Sequence, residues 1–200
     1  AMNSAIGKIV KSNSHIDYIC QVYAQGEFDS VPLAADYAFG SFVGIDREDA
    51  DEGRIIGVVY NTLLMNPDFG SLGPRLSPRQ DLEVFSPDYI AETATLIGIL
   101  AIGWIDSQGQ PQQGVPAPAA AINGPVQRLN ETDVRAFHSA ADGRPALHYA
   151  PLLLRQGDPL IAPLLLTVLD QLEGLFPADQ ARLRVLRNSM AWRSIVQPAG

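Results

Sequence analysis

Apolar and polar positions alternate in short runs over the first third of the chain and return at helical spacing only in its last third. Residues 6–10, 16–23, 39–45 and 55–64 each concentrate β-branched and aromatic side chains between turn formers, which predicts four strands. Lys11, Ser12, Asn13 and Ser14 supply a polar turn that makes a hairpin of the first two, and residues 31–37 read as connection. Gly40 and Gly44 permit the coiling that a small closed barrel needs. Residues 94–104 form a fifth, nearly continuous apolar strand, with a shorter one expected around 113–115. The period then changes. Asn130 ahead of Glu131, Thr132 and Asp133 is an N-cap with acids in the first turn, opening a helix to about residue 140. Residues 159–176 predict a second helix, apolar nearly all round as far as Leu169, which implies burial against the barrel or another subunit. Pro177, Ala178 and Asp179 restart the chain into a third helix ending near residue 196.

Two segments do not fit either period. Residues 66–87 are rich in Pro and Gly yet carry Phe69, Leu72 and Leu76, so this long loop is expected to pack rather than float. Residues 108–125 are rich in Gln, Pro and Ala and read as a linker or crossover. The expected fold is therefore α+β: a small closed antiparallel β-barrel over residues 5–125, with its loop at 66–87, and a helical extension over 126–200.

Composition narrows the classes. With 200 residues, 46% hydrophobic and 18% charged, the chain has the make-up of a globular protein that can bury a sizeable core. A net charge of -8 disfavours bulk nucleic-acid binding, which needs clustered Lys and Arg. Charge is uneven, however. Asp46, Glu48, Asp49, Asp51 and Glu52 form an acidic run, while Arg182, Arg184, Arg187 and Arg193 gather near the end. Cys20 is the single cysteine, so neither an intramolecular disulfide nor a cysteine-based zinc site can form. The opening residues lack a signal-peptide pattern, and the apolar stretch 160–169 is broken by Pro163 and is about half the ~20 residues of a membrane span. A cytoplasmic protein without membrane contact is the expectation.

Recognised chemistry is missing from the sequence. A P-loop lysine must follow Gly and precede Ser or Thr; of the two lysines, Lys8 follows Gly7 but precedes Ile9, and Lys11 follows Val10. Nucleotide hydrolysis through a P-loop is thereby excluded. Gly70-Ser71-Leu72-Gly73 has the wrong spacing for a nucleophile elbow. His15, His138 and His148 have no zinc spacing, and the acidic run fails the calcium-loop pattern after Gly53. Asp81 with Glu83, or Asp88 with Glu92, would do acid–base work only if buried, and beside Pro and Ser turns they read as solvated caps. Tyr18, Tyr23, Tyr37 and Phe39 lack the basic neighbours of a single-strand binder. No catalytic, cofactor or metal residue is assigned, and the balance is against an enzyme.

Ile6-Gly7-Lys8-Ile9-Val10 through Tyr23, Phe39-Gly40-Ser41-Phe42-Val43 and Ile56-Gly57-Val58-Val59-Tyr60 together resemble the HAS barrel, over roughly residues 5–104. This is the small barrel shared by the HerA family of DNA-translocating ATPases and the N-terminal crowns of F-type ATP synthase subunits. With Glu83-Val84-Phe85-Ser86-Pro87-Asp88-Tyr89 and Leu183-Arg184-Val185-Leu186-Arg187, the chain looks like uncharacterised cyanobacterial HAS-barrel proteins that lack the ATPase core. In the related ATPases the barrel contacts neighbouring barrels around a ring or docks a partner such as the nuclease NurA. The resemblance implies a non-catalytic binding or assembly module, an oligomer or an accessory to a separate ATPase. Its contact surface is expected on the 66–78 loop, with Phe69, Leu72 and Leu76 as apolar anchors and Asn66 and Arg75 as polar ones, although the same loop could instead plug its own barrel. Two alternatives stand beside it: a DNA-processing accessory touching nucleic acid through Arg182, Arg184, Arg187 and Arg193, and a small-molecule binder or enzyme using the barrel mouth.

Overall fold

The computed structural model describes residues 4–24, 26–28, 31–47, 53–65 and 94–196, with side chains described as far as Trp192. Its strands are β1 (Ala5–Ser12), β2 (Asp17–Val22), β3 (Phe42–Asp46), β4 (Arg54–Met65), β5 (Ala94–Ile105), β6 (Pro111–Gln113) and β7 (Pro125–Arg128). They form one sheet in the order β2-β1-β7-β3-β4-β5-β6, and a further pairing of β2 with β5 closes its first six strands into a barrel. Every pairing is antiparallel, with Cys20 opposite Ile97 at the closing seam and Ile45 opposite Val126 at the β3–β7 seam. The N-terminal side of the chain is thus a closed antiparallel barrel followed by helices, an α+β protein as the alternation of its residues predicts.

β5 holds the assembly together. One edge pairs with β4 along its length; the other pairs with β2 through Leu96–Leu100 and with β6 through Gly103–Ile105. Its Ile97, Ile99 and Ala101 face the lumen, while Leu100 and Ile102 face the helices outside. Burial on both faces is the reason the strand reads as an unbroken apolar run rather than an alternating one.

Two hydrophobic layers follow from period-2 alternation. Ile6, Ile9, Tyr18, Cys20, Val43, Ile45, Ile55, Val59 and Val126 join the lumen residues of β5 in an inner layer, none of whose members is more than 7% exposed. Phe42, Ile56, Val58 and Tyr60 point outward into a second layer shared with the helices.

Those helices are α1 (Glu131–His138), α2 (Ala150–Leu154), α3 (Ile161–Leu175) and α4 (Gln180–Val196). The expected cap forms: the Asn130 side chain accepts from the Asp133 N–H at 3.0 Å. α3 buries Ile161, Leu164, Leu165, Val168, Leu169 and Leu172. Pro163 sits at its third position, where a backbone N–H would have no intrahelical acceptor in any case. After the 3₁₀ turn Pro177–Asp179 the chain bends by 113° into α4.

The structure differs from expectation in α2, a short helix the pattern does not predict, and in three features of the sheet. The third strand starts at Phe42 rather than 39, because Gly40 adopts φ +85° and turns the chain before it. A Cβ at Gly40 would also lie 2.6 Å from Thr167 Cγ2, and its carbonyl accepts from Gln171 Nε2 at 2.9 Å, so the glycine doubles as the α3 docking point. The short strand lies at Pro111–Gln113, and its Gly114 is outside the ladder with φ +141°. β7 begins at residue 125, where the barrel was expected to end, and closes the ring between β1 and β3. Among the described residues no single helix is long and apolar enough to cross a membrane.

Candidate interaction surface

The described chain covers the barrel at the end where β2 begins. The Pro-rich crossover lies across it, held by Ala120 N–H donating to Tyr18 Oη at 3.1 Å while Tyr18 Oη donates to the His15 carbonyl. His15 donates from Nε2 to Pro116 O at 2.7 Å, a carbonyl being able only to accept. The histidine thus bonds to backbone 101 residues away.

Groups with chemical capacity inside the fold are committed. Burial in the lumen pushes the Cys20 thiol up to about 12, which keeps it protonated and unreactive. His138 is fully buried. Its Nδ1 donates to Val134 O at 2.8 Å, which leaves Nε2 to accept from Tyr149 Oη at 2.8 Å. Burial pulls His138 down to about 4, outweighing the Val134 hydrogen bond that favours its charged form, and burial likewise pushes the Tyr149 phenol up. Phe42 and Phe137 pack edge-on to the imidazole, so the pair is a neutral, enclosed tie between α1 and α2. Asp46 accepts from Arg54 Nε at 2.6 Å and from Gln127 Nε2 at 2.9 Å, and Arg54 also donates to Gln127 Oε1, closing a ring of three side chains over β3, β4 and β7. No cluster of three His, Cys, Asp or Glu side chains suited to a metal ion occurs among the described residues.

The open space lies on the helical side. A cleft of about 310 Å³ runs between Ser41, Arg128 and the α1–α3 junction, with two of its polar side chains engaged: Arg128 pairs with Asp36 at 3.1 Å and Gln171 holds Gly40. A wider groove of about 620 Å³ lies between residues 140–148 and α4. Leu183 and Pro145 are buried in it, Leu147 is half-buried, and Val185 and Leu186 stay exposed. Its other wall is set by Gln113, whose Nε2 donates to Phe137 O at 3.1 Å and Ala146 O at 2.9 Å while its Oε1 accepts from His148 N–H at 2.7 Å. Nothing in the Gln- and Pro-rich stretch around Gln113 marks this clamp, because the signal for it is the distant chain it holds.

The structure separates the arginines of the C-terminal cluster. Arg184 pairs with Glu173 at 3.4 Å and Arg187 with Asp170, both acids of α3. Arg182 instead lines the groove beside Arg144 and His148. The Arg193 side chain and the loop residues Asn66, Phe69, Leu72, Arg75 and Leu76 lie outside the described residues, as do Asp81, Glu83, Asp88 and Glu92.

A family described as Domain of unknown function (DUF8166) has a model that matches residues 1–199. The chain belongs to this family. The DUF8166 match runs through barrel and helices together, so the groove and the barrel that supports it are parts of one family unit. No curated protein matches the DUF8166 chain.

Proposed function

We propose that the protein is a non-catalytic binding and assembly module of HAS-barrel type, working as an oligomer or as an accessory to a separate ATPase. One observation carries this: the barrel interior is filled by its own side chains, Cys20 among them, and His138 and Tyr149 are buried in the layer between barrel and helices. A ligand-binding barrel keeps an open lumen, and an active site brings ionisable groups to solvent. Here the concave space opens on the helices instead, beside exposed apolar side chains. The HAS-barrel assignment is supported by the closed six-strand ring together with the Gly-Lys-Ile-Val opening of β1 and the glycines of β3 and β4. In the HerA-type ATPases such a barrel serves contacts between neighbours, and that role fits a chain with no motor of its own.

Light scattering on the protein purified from native lysate tests the proposal. The expected result is a mass above that of one chain, from further copies or from a stoichiometric ATPase subunit. A monomer with no stoichiometric companion contradicts it.

A further inference from the structure

We propose that the groove between residues 140–148 and α4 docks an acidic amphipathic helix of a partner protein; this rests on the assembly role above and names its contact. The apolar part of the surface is on α4. Val185 is 70% exposed, Leu186 42% and Trp192 69%. Val185 and Trp192 are seven residues apart, about two turns, and therefore share one face of the helix. Met190 packs into the layer shared with α3, and Leu183, buried in the same layer, forms the groove floor. An exposed Trp and two aliphatics beside a groove are the side-chain types that anchor a helix laid into it.

Charge selects the partner. α4 carries no acidic residue within Gln180–Val196. The arginines facing α3 are matched by Asp170 and Glu173, whereas Arg182, on the groove side, has no ion pair among the described residues. Arg144 and Arg182 line the groove with one acid, Asp142, which pairs with Arg144 at 3.8 Å, so the charge left uncompensated there is that of Arg182, in a chain whose net charge is -8. A positive groove on a negative molecule attracts an acidic segment locally while the rest of the surface repels it, which fixes where such a partner lands. A second copy of α4 would bring arginine against arginine. Nucleic acid would match the charge but leave Val185, Leu186 and Trp192 uncovered.

The probe is a synthetic amphipathic peptide of roughly 20 residues, long enough for several helical turns, with Leu along one face and Glu on its flanks. Its control carries Lys in place of each Glu. Fluorescence anisotropy with the full chain is expected to give binding of the acidic peptide that weakens with salt. Affinity falls at least about tenfold for the Lys peptide, for Arg182→Glu and for Val185→Asp. Both substitutions are at exposed positions, so unchanged circular dichroism melting separates lost docking from lost folding. Equal binding of the two peptides, or binding indifferent to both substitutions, overturns the proposal. So does competition by single-stranded DNA alone, which makes the groove a nucleic-acid site, or self-association abolished by Val185→Asp, which makes its occupant a second copy. If light scattering finds an assembly that both substitutions leave intact, the groove assignment fails while the assembly role stands.

Discussion

His138 illustrates how a single side chain ties this fold to pH. Above 6.5 the imidazole is neutral in both folded and unfolded chains, and its burial between Val134 O and Tyr149 Oη costs no proton. As the pH falls from 6.5 towards the folded value of about 4, the unfolded chain takes up a proton that the buried ring refuses. Stability contributed by the neutral ring is therefore lost across that window, by about 3 kcal/mol at full protonation of the unfolded state. Urea denaturation between pH 4 and 7 should show this slope, and His138→Gln, which cannot titrate, should flatten it. Equal slopes in the two proteins contradict the assignment. The residue was visible in the sequence as one of three histidines without metal spacing, but its role was not, because Tyr149 caps a different helix and meets it only through the turn between. Gln113 is the same case: its three backbone partners are assembled by the fold.

Among elements, α3 shows which contacts hold the helices to the barrel. Leu169 is wholly buried in the outer layer, whereas Arg187 meets Asp170 at the exposed rim between α3 and α4. Leu169→Ala should cost about 2–5 kcal/mol by leaving a cavity, and Arg187→Ala far less because its ion pair is solvated. Chemical denaturation of the two variants checks this, and a larger loss from Arg187→Ala reverses the ranking. α3 was legible because a mostly apolar run of fifteen residues outlasts local turn signals. β1 to β5 were legible for the same reason. β7 was not: its four residues, Pro125–Arg128, begin with proline, end in polar residues and follow a Pro-rich crossover, and only its pairing with β1 and β3 makes it a strand. The polar contact surface was half legible. Sequence grouped four arginines near the C-terminus, but the orientation of α4 decides that Arg184 and Arg187 face the acids of α3 while Arg182 faces the groove.

At the scale of the molecule, the barrel and helices share a layer in which Phe42, Val58 and Leu100 meet Leu164, Leu165 and Val168. The helices therefore cover one wall of the barrel, and the groove they form rests on a rigid ring. That arrangement depends on β2 reaching β5. Without this seam the sheet would be an open one, with free edges at β2 and β6 and an inner layer exposed to solvent. Cross-strand nuclear Overhauser effects between β2 and β5 measure the seam directly. The account predicts them between the register partners Tyr18 and Ile99 and between Cys20 and Ile97, with slow amide exchange along β2. Their absence, with β2 paired to β1 alone, would contradict a closed barrel.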